Sequence, residues 1–279
     1  MALCCLAHAP AAVAAPKAPA APAIAPPTAA DWRTPDPQNV LVIDTTKGRI
    51  IVEMAPAAAP VTVAQVRDLA RAGFYDGRAF FRVIDNFMDQ TGDPQDDGKG
   101  QSTKPNLPPE FTFRRGSDMP VAVVITDSGA EGGFLGSLPV VSQSMSLGLF
   151  TADQKVKAFG LFCPGVVGMA RAEDEASGNS QFFLMRAATP ALDQKYTPFG
   201  RAISGLDVIR AIKLGEPPAP PQDTMTKVRV LADIPAAERP TVRVIDTAGP
   251  WFKAEVERVT KEKAVGVGPC DLDLPADIH

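Results

Sequence analysis

Histidine is nearly missing. The 279 residues contain two, His8 and His279, one near each end. A Ser-His-Asp triad, a His-bearing zinc site or an imidazole general base has nothing to build on within the body of the chain. A charge excess of either sign is missing too: 28 Lys and Arg against 32 Asp and Glu leave a formal charge of −4. That near-balance argues against a general nucleic-acid binder and against a polybasic membrane-surface protein. No apolar run reaches the roughly 18–20 residues that span a bilayer. Aromatic residues are only 6% of the chain, and seven of the 14 Phe fall between Phe74 and Phe134, which marks that stretch as carrying much of the core. Hydrophobic residues at 45% are enough for a packed interior and speak against wholesale disorder.

The ends differ from the middle. Residues 1–15, MALCCLAHAPAAVAA, read as a signal peptide, with Ala12-Val13-Ala14 as its small-x-small cleavage pattern. Against this, no Lys or Arg precedes Lys17. The expected location is periplasmic or otherwise exported, and cytoplasmic if the N-terminus is no signal. Residues 16–38 form an Ala/Pro-rich linker that buries nothing. The main domain spans 39–234, and 235–279 is a C-terminal extension too short to fold alone, expected to pack on it. Without the leader two cysteines remain, Cys163 and Cys270. An exported compartment permits a disulfide between them, and buried unpaired thiols fit as well.

Within the body, Val40–Thr45 and Arg49–Met54 are β-rich runs joined by Thr46-Lys47-Gly48, which predicts a hairpin. Val63, Val66, Leu69 and Ala70 recur at helical spacing between Pro60 and Gly73, which predicts a helix over 61–72. Short strands are predicted at 80–84, 87–91, 121–126, 166–170, 181–185, 197–203 and 227–232, and a helix at 206–214. Residues 92–109 read as a long loop and 128–136 as a mobile glycine-rich one. In the extension, 242–246 reads as a strand and 251–263 as a helix. Many short strands with few helices make the chain mainly β.

Three clusters resemble one family. They are Phe80-Phe-Arg-Val-Ile-Asp-Asn-Phe-Met-Asp-Gln-Thr-Gly-Asp-Pro94; Gly165-Val-Val-Gly-Met-Ala-Arg171 followed by Asn179-Ser-Gln-Phe-Phe-Leu184; and Leu192-Asp-Gln-Lys-Tyr-Thr-Pro-Phe-Gly-Arg201. In order and spacing they resemble the cyclophilin-type peptidyl-prolyl cis/trans isomerases over about 40–116 and 159–234. The resemblance implies a closed eight-stranded antiparallel barrel capped by two helices, interrupted here by an insertion of about residues 117–158. It also implies a role for single residues. Arg82 matches the catalytic arginine. Phe87, Met88, Gln90, Gln181, Phe183 and Leu192 match the residues of the proline pocket. Ala170 matches the alanine whose backbone meets the peptide, Tyr196 stands where many members carry histidine, and Gly98 matches a loop glycine.

The chemistry suits these residue types. An X–Pro bond turns over a barrier of about 18–20 kcal/mol because amide resonance is lost at the twisted state. No bond breaks and no proton need move, so a chain poor in histidine is at no disadvantage. The reaction needs an apolar socket for the pyrrolidine ring (Phe87, Met88, Phe183, Leu192) and a fixed donor that favours a pyramidal prolyl nitrogen. Arg82 is such a donor, always charged and planar. Neither metal nor cofactor is implied; the partners are proline-containing polypeptides, with no nucleic acid and no membrane span, and the expected state is a monomer. Read singly, the apolar residues would be core and Arg82 a surface arginine paired with Asp85. The chain also departs from the family pattern. Arg171 replaces a common asparagine and adds a charge beside the groove, and Ala191 stands where a bulky aromatic usually precedes Leu192. A second reading follows from these departures: a binding or chaperone module that uses the groove but turns over poorly, above all if the insertion covers it.

Overall fold

The structure is a computed structural model that describes residues 24–263 and 266–279; the leader at 1–15 lies outside the described residues. Val40–Thr45 and Gly48–Met54 form the predicted hairpin, in register from Val40 opposite Glu53 to Thr45 opposite Gly48. They lie within an antiparallel sheet of eight strands, in the order 225–230, 40–45, 48–54, 197–204, 166–169, 182–185, 88–91 and 82–84. The sheet curls around an apolar interior that includes Leu41, Ile43, Ile50, Val52, Phe182 and Phe199.

The expected closed barrel is not closed by a continuous hydrogen-bonded ladder. Strands 82–84 and 225–230 are the two edges, and their flanking segments are linked by the isolated bridges Ala79–Thr224 and Val83–Gly215 and by single backbone bonds such as Gly77 N–H to the Met225 carbonyl and Phe80 N–H to the Asp223 carbonyl. The reason lies in the sequence: Pro217, Pro218, Pro220 and Pro221 fill the segment that meets strand 82–84, and proline has no N–H to give a ladder.

Two helices bury their apolar sides in the same interior. The first, α1 (Pro60–Arg71), buries Val63, Val66, Leu69 and Ala70. Its first N–H groups have no local cap; instead the Glu110 carboxylate accepts from the Val61 and Thr62 amides at 3.0 and 2.9 Å. The second, α2 (Leu206–Ala211), ends three residues before the predicted stop. There the buried Arg186 guanidinium donates to the carbonyls of Ile209, Arg210 and Ile212. The same guanidinium holds the Asp89 carboxylate at 3.0 Å, and Asp89 is fully buried.

Burial pushes the Asp89 carboxyl up, to about 7, against the opposing pull of Arg186. Folding therefore takes up a proton at this group. The associated stabilisation is complete below the unfolded value of about 3.9 and is lost as pH rises through the folded value. Arg186→Met removes the opposing charge and strips three carbonyls, so it should cost about 3–5 kcal/mol and raise Asp89 further. Urea midpoints measured from pH 4 to 8 should fall more steeply with rising pH in R186M than in the wild type. Parallel slopes would show that Arg186 does not set the Asp89 proton affinity.

The insertion is a structure of its own. Strands 122–127, 130–135 and 138–143 join 156–160 and 113–115 in a five-stranded antiparallel sheet. The stretch 128–136, read as mobile from its glycines, is mostly the strand Ala130–Leu135, with a neighbour on each side. Gly133 is there for close approach: a Cβ would lie 2.2 Å from the Ala122 carbonyl oxygen.

The extension packs on the outside of the curled sheet. Val242–Ile245 pairs with Trp32–Arg33 on one side and Ala276–Ile278 on the other, so the segment read as linker enters the fold before residue 38. The third helix, α3 (Pro250–Glu262), contributes Phe252 and Val259. These side chains, with Val242, Val244 and Ile245, cover Val40, Val42 and Ile51, and Phe134 of the insertion meets Phe252 edge-on at 5.5 Å. Strand 40–45 is thus buried on both faces, which is why Val-Leu-Val-Ile does not alternate. The core is also spread more widely than the phenylalanine count suggested: Phe162, Phe182, Phe199 and Phe252 are fully buried outside the 74–134 stretch. Cys163 and Cys270, left open on sequence, form a disulfide that ties the extension to the main domain. Among the described residues no helix is long and apolar enough to cross a membrane.

Candidate active site

Adjacent strands of the curled sheet carry the residues picked out above. Strand 88–91 supplies Met88 and Gln90, and Phe87 just before it; strand 82–84 begins with Arg82, directly opposite Gln90. Strand 182–185 places Phe183 opposite Gln90 on the other side. Ala170 and Arg171 follow strand 166–169, and Leu192 and Tyr196 belong to the turn before strand 197–204.

Two clefts result. A small one of about 80 Å³ is lined by Phe87, Met88, Gln90, Ala170, Arg171, Phe183, Leu192 and Tyr196. A larger, more polar one of about 230 Å³ is bordered by Gln90, Gly98, Lys99, Gly100, Ala170, Arg171 and Gln181, among others. All ten residues predicted to bind the peptide line one cleft or the other: eight line the small cleft, and Gly98 and Gln181 lie on the polar side. Arg82 lines neither cleft and reaches them through Gln90, which lines both.

The apolar floor is built in layers. Phe162 stacks behind Phe183 with centroids 5.7 Å apart, and the Tyr196 ring meets Phe183 edge-on at 5.8 Å. Arg171 does not project as a free charge. Its guanidinium lies 4.6 Å from the Tyr196 ring centroid and 5.5 Å from that of Phe111, and its Nε donates to the Lys195 carbonyl at 3.0 Å. Arginine thus braces the wall that Tyr196 forms.

The polar side is a directed chain of hydrogen bonds. Gln181 Nε2 donates to the Gly100 carbonyl at 2.8 Å, and Gln90 Nε2 donates to Gln181 Oε1 at 2.9 Å. Gln90 Oε1 is left facing Arg82 Nη1, a long 3.5 Å contact. Arg82 Nε donates to Glu216 Oε2 at 2.6 Å, so its partner is Glu216 and not Asp85, which lies instead beside Arg186.

Loop 92–109 is held by buried side chains. Asp93 accepts from the amides of Gln95, Asp97, Gly98 and Gly100 at 2.8, 3.2, 2.5 and 3.2 Å. Burial works to raise its carboxyl, but the four N–H donors outweigh this and hold it below the ordinary range. Asn179 accepts from Ser102 and donates to the Lys104 carbonyl, stitching the loop to the segment that runs through Gln181 into strand 182–185.

Sequence reasoning missed Glu216, Phe162 and Phe111. Phe162 precedes its strand in a run with no periodicity, and Glu216 lies 134 positions from Arg82; nothing local points to either.

A family model for cyclophilin-type peptidyl-prolyl cis-trans isomerase/CLD matches residues 40–231. The chain belongs to the cyclophilin family. Among curated cyclophilin relatives, the "Probable peptidyl-prolyl cis-trans isomerase" of Brucella suis biovar 1 (strain 1330) is 32% identical over 191 residues, covering 64% of this chain and 74% of that one. The "Peptidyl-prolyl cis-trans isomerase-like 1" of Aspergillus fumigatus is 32% identical over 174 residues, 62% of this chain and 81% of its own. Among solved structures, cyclophilin AquaCyp293 from Hirschia baltica superposes with a TM-score of 0.81 at 34% identity, covering 88% of this chain and 93% of that one. That 88% exceeds what residues 40–231 alone supply, so the likeness to this cyclophilin reaches beyond the family segment.

Proposed function

We infer that the protein is a peptidyl-prolyl cis/trans isomerase that accelerates X–Pro rotation in polypeptides, with Arg82 as its catalytic donor. The observation that carries the assignment is the shared wall at Gln90, in a chain of the cyclophilin family. One side of Gln90 lines the apolar socket, and its Oε1 faces the Arg82 guanidinium. A prolyl ring seated against Phe87, Met88, Phe183 and Leu192 puts its amide within reach of the guanidinium. The remaining N–H groups of Arg82 favour the twisted state, in which the nitrogen regains its lone pair. A peptide passing Ala170 meets Gly98, Arg171 and Gln181 in the polar cleft.

The binding-only reading rests on Arg171 and Ala191, and would be favoured above all if the insertion covered the groove. No residue of 117–158 lines either cleft, and the insertion's apolar residues, such as Leu138 and Val140, pack on Phe162 and Cys163 behind the floor. An isomerisation assay on a proline tetrapeptide tests the assignment: a rate that rises linearly with protein concentration supports it, and the uncatalysed rate at micromolar protein refutes it.

The domain plan proposed on the sequence is kept with one change, a linker that ends before Trp32: a signal peptide at 1–15, that linker, an isomerase domain at 39–234 carrying the insertion, and the extension at 235–279. A periplasmic or otherwise exported location is supported by the leader's composition and by the Cys163–Cys270 pair, since disulfides persist in oxidising compartments. A monomer is the proposed state, and the charge balance supports polypeptide rather than nucleic-acid partners.

Inhibition should separate from activity. Ala191 is exposed beside Leu192 and offers neither the ring contact nor the indole N–H through which cyclosporin is held by family members with tryptophan there. Losing such an aromatic anchor costs about 2 kcal/mol or more. Cyclosporin should therefore inhibit weakly, and Ala191→Trp should tighten it at least about tenfold; nanomolar inhibition of the wild type would show that this position does not decide affinity.

A further inference from the structure

The carboxylate on Arg82 is delivered by the backbone. Glu216 follows Gly215, which exchanges hydrogen bonds with Val83 in both directions, Val83 N–H to the Gly215 carbonyl at 2.8 Å and Gly215 N–H to the Val83 carbonyl at 2.9 Å. Val83 is the neighbour of Arg82, so this bridge sets Glu216 beside the guanidinium. Only glycine fits at 215: its φ is +149°, and a Cβ would lie 2.5 Å from Pro218 Cα. The segment is tied at its two ends by Asp223, which accepts from the Lys213 amide at 2.9 Å and from the Thr46 hydroxyl at 2.7 Å, and within by Lys213 Nζ on the Ala219 carbonyl at 2.7 Å.

Stability does not account for the pair. Its side chains are 41% and 51% exposed, and pairs of that kind add little to folding. Its geometry does have a consequence for the groove. A guanidinium has five N–H donors in a rigid fork. Glu216 takes Nε, and Gln90, held by Gln181 and Gly100, faces Nη1. Released from Glu216, Arg82 has, among the described residues, one long side-chain hydrogen bond at 3.5 Å to orient it, on the edge strand of the sheet.

We propose that Glu216 is a positioning residue for Arg82: its carboxylate locks the guanidinium in the orientation that presents the remaining N–H groups to the prolyl amide. The inference rests on Arg82 being the catalytic donor. A transition-state interaction depends on such preorganisation more than ground-state binding does. The loss should therefore appear in turnover.

The test uses the full chain and a proline tetrapeptide, with the wild type, Glu216→Ala, Glu216→Gln, Arg82→Ala and the double variant R82A/E216A. E216A should lower turnover of the bound peptide about tenfold, read from NMR exchange at saturating protein, with peptide Kd changed less than about threefold and Tm unchanged. E216Q keeps an oxygen within reach of Nε and should recover at least half of that loss on a logarithmic scale. In the Arg82→Ala background, E216A should have no further effect. Wild-type turnover in E216A, a faster E216A, or the same tenfold loss on top of R82A each overturns the proposal. An inactive wild type, or an R82A as active as the wild type, overturns the underlying isomerase reading instead.

Discussion

Arg82→Ala should lower kcat/KM for a proline tetrapeptide by about two decades, the usual cost of removing one preorganised electrostatic donor, equivalent to about 2.7 kcal/mol of transition-state stabilisation. The apolar socket remains, because Phe87, Met88, Phe183 and Leu192 owe their positions to the strands and to Phe162 behind them. Peptide affinity should therefore change much less than turnover. The fold should also be indifferent: Arg82 begins an edge strand with its side chain 41% exposed, and substitutions at such sites generally stay within about 0.5 kcal/mol. Arg82→Lys keeps the charge but loses the fork that meets Glu216 and Gln90, so it should fall between the two. A stopped-flow assay on the three proteins at matched concentration checks this; an R82A rate within about threefold of the wild type would remove Arg82 from the mechanism.

The second large effect concerns stability. Cys163 and Cys270 close a loop of 107 residues. In the chain-entropy account, opening a loop of that length costs about 4–5 kcal/mol by releasing the unfolded chain. For a protein of this size that is a fall in Tm of roughly 10–15 °C. The native contacts should hold at room temperature, because the extension buries Val242, Val244, Ile245 and Phe252 against the outer face of the sheet regardless of the bond. Paired Cys163→Ser and Cys270→Ser substitutions, compared with the oxidised wild type by calorimetry, check this. Equal midpoints would mean that the extension's packing alone anchors it and that the disulfide adds nothing.

Much of the active groove was legible because it is written in three continuous motifs whose residues lie on neighbouring strands. Arg82, Gln90 and Phe183 are adjacent across two ladders, and strand register fixes such neighbours once the strands are known. The parts that were not legible depend on distant segments. Glu216 meets Arg82 only because Gly215 bridges to Val83. Arg171 was read as a charge beside the groove, yet Tyr196, Phe111 and the Lys195 carbonyl take it up, and no spacing encodes that. The glycine-rich stretch at 128–136 was misread because the same composition serves flexibility and close packing, and Ala122 opposite Phe134 decides for packing. The absence of a closing ladder follows from Pro217, Pro218, Pro220 and Pro221, whose meaning depends on their lying at the sheet's edge. The pairing of Cys163 with Cys270 was likewise open, since two cysteines 107 positions apart meet only if the extension folds back.

The most direct test of the account observes the rotation itself. Two-dimensional NMR exchange on an Ala-Pro-containing peptide, with the protein at a few per cent of the peptide concentration, should show cis–trans cross-peaks within tens of milliseconds, where the free peptide interconverts over tens to hundreds of seconds. The same spectra with R82A should show cross-peaks weakened about a hundredfold in rate. Peptide resonances that shift on binding to the groove while no exchange cross-peaks appear would contradict the account, leaving a groove that binds proline without turning it.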